Sequence, residues 1–236
     1  MKKILLLIIL ISNLFSFDLT SNIKTPDTFS TINSFKENSK KEKFSYDDLI
    51  AFLKASNDKN KILILGVLYA NDSEKPDDFG KYIKADPILA KKYILQSYKM
   101  GNKDALAILS GLILYNDKMS ILDKDLSETK KMLIQSEKDG NIKGILLLAI
   151  TELLRGEYDD GISTLIKAAN MNDASAQLEL AIIYQKGIYS EKLKKMVISP
   201  NRDVAEFYLN QACTNENKSD KVREFCYSPE IIIEKR

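Results

Sequence analysis

The sequence predicts an all-α protein, an α-solenoid of about four helix-pair repeats with an N-terminal capping helix. Two observations carry this. A segment recurs without a gap at an offset of 39 residues: Asp86–Asn102 reads DPILAKKYILQSYKMGN and Asp125–Asn141 reads DLSETKKMLIQSEKDGN. The offset carries Lys91-Lys92 onto Lys130-Lys131, Gln96-Ser97 onto Gln135-Ser136, and Gly101-Asn102 onto Gly140-Asn141. In addition, a pattern of small residue, Leu, small residue and aromatic recurs along the chain. Self-similarity at this period marks an array in which each unit buries its apolar face against its neighbours. Such a chain offers a surface for binding more readily than a pocket for chemistry.

At the N-terminus, Met1-Lys2-Lys3 precedes an apolar run from Ile4 to Ile11, about the length of a signal-peptide core. Counting on to Phe17 gives 14 mostly apolar residues, fewer than the roughly 17 to 25 that cross a bilayer as a helix. Residues 1–16 are therefore expected to be a signal peptide cleaved after Ser16, leaving no stable membrane anchor. The expected compartment is periplasmic, or the protein is secreted. Residues 17–43, rich in Ser, Thr, Asn and Lys without helical or strand period, are expected to form a flexible arm.

Order is expected from Phe44, in a capping helix within residues 44–60. Ser45 is its candidate N-cap, with Asp48 as the capping-box acid and Phe44 and Leu49 as a hydrophobic staple. Residues 61–236 are expected to be the repeats. Ala176, Leu180, Ala181 and Tyr184 fit the recurring pattern fully, and Leu65, Gly66 and Tyr69 fit its second half. Leu109 and Leu148 anchor looser units, in which Ser110 takes the second small position and Glu152 takes the aromatic one. The anchor leucines are spaced by 44, 39 and 32 residues. Small residues beside each leucine let helices approach closely, and the leucine and aromatic positions share one helix face.

The partner helices carry start signals at Asp86-Pro87, Asp125 and Asn201, and stop signals at Gly101 and Gly140. In the third unit residues 162–169 are the expected helix, preceded by an acidic turn at Asp159-Asp160 and stopped at Asn172. Residues 70–85 and 188–200 are expected to be long loops. None of the periodic segments alternates with period two over a strand length. The runs 105–115 and 144–154 are apolar nearly all round, as befits inner helices flanked on both sides.

The residues LeuGlyValLeuTyr at 65–69, Tyr184 to Gly187 and Lys167-Ala168-Ala169 resemble the Sel1-like repeat, a relative of the tetratricopeptide repeat. The resemblance covers roughly Lys61 to Cys213. It implies a helix-pair solenoid that acts as an adaptor for other proteins, including in envelope assemblies, without a cofactor.

Cys213 and Cys226 are the two cysteines of the chain. In an oxidising compartment an even pair reads first as a disulfide, which would stabilise by roughly 3 kcal/mol. The pair is similar to the bridges of the cysteine-rich Sel1-like proteins of Helicobacter and Campylobacter, although those use a shorter spacing repeated in every unit. A metal pair is the alternative, but two thiols in a chain without histidine do not fill a tetrahedral site.

Cleavage after Ser16 would leave 33 basic against 33 acidic residues, so the mature chain lacks the concentrated basic face that nucleic acid requires. Absence of histidine removes the commonest general base. Ser56 with Lys59, and Ser127 with Lys130, match the serine-lactamase S-x-x-K, but the S-D-N and K-T-G elements are missing. Asp123 with Asp125, and Asp159 with Asp160, lack the glycine and glutamate of a calcium loop; capping and a solvated turn are the expected roles.

The expected function is an exported adaptor, not an enzyme, that binds a protein or peptide in the cell envelope through its concave face and long loops. The alternatives are an envelope enzyme acting on peptidoglycan or β-lactams, and a secreted host-interacting protein. In the loop 70–85, Asp77 and Asp78 are expected to be exposed recognition residues whose charge reversal leaves folding intact.

Overall fold

The computed structural model describes residues 43–227 except 44, 74, 191 and 192, and not the side chain of Lys221. The expected signal peptide, the arm up to residue 42, and Phe44 of the expected staple lie outside the described residues. The described chain is helical apart from one short hairpin, and divides into two compact units between residues 141 and 142. No described helix is long and apolar enough to cross a membrane.

The first unit holds α1 (Tyr46–Lys54), α2 (Lys59–Ala70), α3 (Pro87–Lys99), α4 (Ala105–Tyr115), a 3-10 turn (Ser120–Leu122) and α5 (Ser127–Lys138). The second holds α6 (Ile142–Arg155), α7 (Tyr158–Asn170), α8 (Ala174–Lys186), β1 (Ile188–Ser190), β2 (Lys195–Ile198), α9 (Arg202–Thr214) and α10 (Asp220–Tyr227). In each unit successive helices pack as neighbours. Every residue of α4 from Ala105 to Ile113 is buried, as expected of an inner helix with partners on both sides.

Most of the start and stop signals act as the sequence implies. Asp58, Asp86, Asp173 and Asn201 each accept a hydrogen bond from a backbone N–H in the first turn of their helix. Gly101 and Asn172 take the left-handed conformation that ends α3 and α7, with φ of 88° and 63°. Three signals act differently. Ser45 makes no side-chain cap bond to α1; instead the Tyr46 N–H donates to Asp77 Oδ2 at 3.0 Å. At α5 the Thr129 N–H and Oγ1 donate to Asp123 Oδ2 at 2.6 and 2.7 Å, while Asp125 accepts from Ser127. The left-handed Leu126 between them moves the capping role two residues upstream of Asp125. In the third unit the helix starts at Tyr158, so Asp159 and Asp160 lie in its first turn, where acids favour the helix dipole, and not in a turn between helices.

The segment 188–200 is also not a plain loop. Ile188 pairs with Ile198, Tyr189 with Met196 and Ser190 with Lys195, antiparallel, with an irregularity between Ile188 and Tyr189. Strands of three and four residues are too short for a period-two signal to stand out from the flanking helical pattern.

Asparagines tie helix pairs together inside each unit. Asn102 Nδ2 donates to Asn60 Oδ1 at 3.2 Å, and Asn141 Nδ2 to Asp104 Oδ1 at 2.7 Å. Asn215 Nδ2 donates to the Asn172 carbonyl at 3.0 Å and to Gln177 Oε1 at 3.2 Å. The asparagine after each stop thus reaches polar groups at the start of the preceding pair, and the buried Asn102 and Asn215 find their partners there.

An internal equivalence emerges at an offset of 115 residues. It carries Asp58 onto Asp173, Leu65 onto Leu180, Tyr69 onto Tyr184, Ala90 onto Ala205 and Tyr93 onto Tyr208. The backbone follows: the Asp86 N–H donates to the Tyr69 carbonyl at 2.7 Å, and the Asn201 N–H to the Tyr184 carbonyl at 2.6 Å. By this offset α1 matches residues 161–169 of α7, so the capping helix corresponds to a repeat helix.

Candidate functional site

The anchor positions divide into a core set and a surface set. Leu65, Leu109 and Leu180 are fully buried and Leu148 nearly so, with Gly66 and Ala181 buried beside them. Gly66 is needed for close approach, since a Cβ there would lie 2.5 Å from Ile94 Cγ1 and 2.9 Å from the Ile94 nitrogen. Tyr69 and Tyr184 are only half-buried. Each stacks on a tyrosine of the next helix: Tyr69 on Tyr93 with centroids 5.8 Å apart, and Tyr184 on Tyr208 at 6.3 Å.

Beside Tyr184 the second unit opens a cleft of about 480 Å³. Ile162 and Ile166 of α7, Val197 and Ile198 of β2, and the Tyr184 ring make its apolar lining, with Asp159 and Asn201 adding polar groups. The hairpin exists because Gly187, with φ of 70°, turns the chain out of α8. Tyr189 and its cross-strand partner Met196 are both exposed, as is Leu193 in the turn.

Cys213 and Cys226 form a disulfide with Cα atoms 5.6 Å apart, joining α9 to α10. Val222 and Phe225 of α10 pack on Leu178, Ile182 and Ala212, so the bridge fastens a short helix that covers this part of the core.

The loop 70–85 departs from expectation at Asp77. That residue is buried; its Oδ1 accepts from the Phe79 and Lys81 N–H groups at 3.0 and 2.9 Å, and its Oδ2 from Tyr46 N–H. Burial pushes the carboxyl up, but the three backbone donors outweigh it and hold it below the ordinary value. Asp77 is therefore a clamp between the loop and α1, and its reversal would not leave folding intact. The apolar residues that this loop exposes are Phe79 and Tyr82.

The groups considered for chemistry are engaged structurally. Ser56 Oγ accepts from the Asp58 N–H, Ser127 Oγ donates to Asp125, and Lys59 Nζ donates to the Gly101 carbonyl. Glu152, Glu157 and Asp160 bring carboxylate oxygens within 4.8 Å of one another. Glu152 accepts from Thr164 Oγ1 at 2.8 Å and Glu157 pairs with Arg155 at 3.0 Å. Glu179 is buried in α8, and burial raises its carboxyl to about 8.

Similar in fold is the crystal structure of a Sel1 repeat protein from Oxalobacter formigenes, with a TM-score of 0.54 and 16% identity over 92% of this chain and 84% of that one. The chain has the Sel1 repeat fold. No protein-family model matches the sequence, and neither does any curated protein. The fold persists at this low identity because the pattern needs only small and apolar residues at a few positions, and many sequences supply them. The repeat residues that the sequence points to sit in or beside the core, Asp77 is a buried clamp where the sequence suggests an exposed recognition residue, and Tyr93, Tyr208 and the hairpin leave no mark that the repeat pattern alone reveals. The 115-residue offset is the signal that leads to the two tyrosines.

Proposed function

We propose that the protein is an exported Sel1-like adaptor that holds a protein or peptide partner in the cell envelope. The observation that carries this reading is the apolar cleft between α7 and β2, framed by Ile162, Ile166, Tyr184, Val197 and Ile198. A groove of apolar walls with polar groups at a few points suits an extended peptide segment. The apolar run after Met1-Lys2-Lys3 supports export, and the Cys213–Cys226 bridge is of a kind that persists in oxidising compartments.

The test places a photo-crosslinking residue at Ile162 and, separately, at the exposed Glu224 of α10, in cells that make the full chain and are then fractionated. Adducts from envelope fractions at Ile162 and not at Glu224 are expected. Retention of the uncleaved chain in the cytoplasm would overturn export, and absence of Ile162 adducts would overturn the cleft.

A further inference from the structure

The first unit carries a second surface, distinct from the cleft of the second unit and independent of it. Lys54 Nζ lies 5.8 Å from the centroid of Tyr69, Tyr69 stacks on Tyr93, and Lys92 Nζ lies 5.5 Å from the centroid of Tyr93. The result is a run of ammonium, ring, ring and ammonium across α1, α2 and α3. Beside it, Lys61 Nζ lies 4.5 Å from the centroid of Phe52, a residue that is 41% exposed.

The charge of the two helices that carry the tyrosines is one-sided. Helices α2 and α3 contain Lys59, Lys61, Lys91, Lys92 and Lys99 and no acidic residue, while α1 has Asp47 and Asp48 in its first turn, at the end opposite Lys54, and Asp47 pairs with Lys81. Lys91 pairs with Glu128 at 2.7 Å and Lys59 is bound to a carbonyl, but Lys54, Lys61 and Lys92 have no carboxylate partner among the described residues. Elsewhere in the unit Lys81 pairs with Asp47 and Lys118 with Asp72. At the 115-residue offset the second unit shows the contrast: the stacked pair recurs as Tyr184 and Tyr208, while Ala169 and Phe207 stand in place of Lys54 and Lys92. Its helix α9 also carries Asp203, and Glu206 paired with Arg202.

A ring face under an ammonium holds it with modest energy and little loss of hydration, leaving its charge available. A carboxylate that reaches it gains a charge-assisted hydrogen bond, and the methylenes of a glutamate can lie along the adjacent ring. We propose that the face formed by Lys54, Tyr69, Tyr93 and Lys92 binds an acidic, glutamate-rich segment of a partner protein. Because the ammoniums are held in position before binding, little side-chain entropy remains to be lost.

The experiment measures fluorescence anisotropy of fluorescein-labelled decaglutamate with the full mature chain. Saturable, salt-sensitive binding is expected, weakened by about tenfold or more in Lys54→Glu with Lys92→Glu and retained in Lys54→Arg with Lys92→Arg. Lys195→Glu in the hairpin should leave it unchanged. If the double reversal shifts the melting transition, Lys54→Gln with Lys92→Gln serves instead. No saturable binding, equal binding by the reversed or neutralised variant, or loss in Lys195→Glu would overturn the proposal. So would a deoxythymidine decamer, or vesicles containing phosphatidylglycerol, that bind more tightly than the peptide through the same lysines.

Discussion

The segments 58–98 and 173–213 have the same length, caps at the same positions, the same anchor leucine and the same stacked tyrosines, yet they present different surfaces. Between their helices, residues 71–86 form a loop clamped to α1 by Asp77, while residues 187–201 contain the hairpin that walls a cleft. The flanks of the tyrosine pair are lysines in one and Ala169 and Phe207 in the other. The difference teaches that the few buried positions carry the architecture, whereas loop content and ring neighbours set what each unit can recognise.

The equivalence is tested most severely at the anchor leucines. Leu65→Ala and Leu180→Ala should each cost roughly 2 to 5 kcal/mol, measured by denaturant unfolding with hydrogen exchange to locate the loss. A full loss at one site and none at the other would break the comparison.

A sharper difference lies at Glu179, whose counterpart at the 115-residue offset is Ile64, a member of the apolar cluster with Leu49, Leu53 and Leu65. Its folded-state value is raised from 4.5 to about 8, so the native state binds its proton more tightly than the unfolded chain. The contribution of Glu179 to stability is therefore fully present below about 4.5, declines as the pH rises, and levels off above about 8. Glu179→Ile should abolish that decline and add on the order of 5 kcal/mol above pH 8, since each tenfold difference in proton affinity between the two states is worth about 1.4 kcal/mol. Identical pH profiles for the two proteins would refute the burial argument.

At the loops the expected effect is local. Asp77→Ala removes the acceptor for three backbone donors, and exchange of the Tyr46, Phe79 and Lys81 amides should quicken by about tenfold or more while amides of the hairpin stay unchanged. Since the Asp77 carboxyl is held below its ordinary value, the same amides should lose protection as the pH falls through that lowered value and regain it above the ordinary range. Unchanged exchange would mean the clamp does not hold the loop.

The smallest effect separates two serines that the 39-residue repeat makes equivalent. Ser97 Oγ donates to the Lys59 carbonyl at 2.7 Å, whereas the buried Ser136 Oγ has no hydrogen-bond partner among the described residues. Ser97→Ala should cost about 1 kcal/mol, and Ser136→Ala should be neutral or gain about as much, read from thermal melts. Losses of equal size would show that the two sites are not distinguished by bonding.

The sequence by itself determined the all-helical repeat fold, most helix boundaries and the burial of Leu65, Leu109, Leu148 and Leu180. These depend on interactions within a few residues, such as caps at Asp86 and Asn201, stops at Gly101 and Asn172, and apolar periodicity, and each leaves a local mark. Only the tertiary structure decided the surfaces. Asp77 reads as one more charged loop residue until Tyr46, 31 positions away, is brought to its carboxylate. Lys54 and Lys92 read as ordinary surface lysines until Tyr69 and Tyr93 stack between them, and Glu179 reads as a polar helix position until α8 is buried nearly all round. In each case the property belongs to a contact between residues far apart in the chain, and the desolvation and partners that create it exist only once the helices have packed.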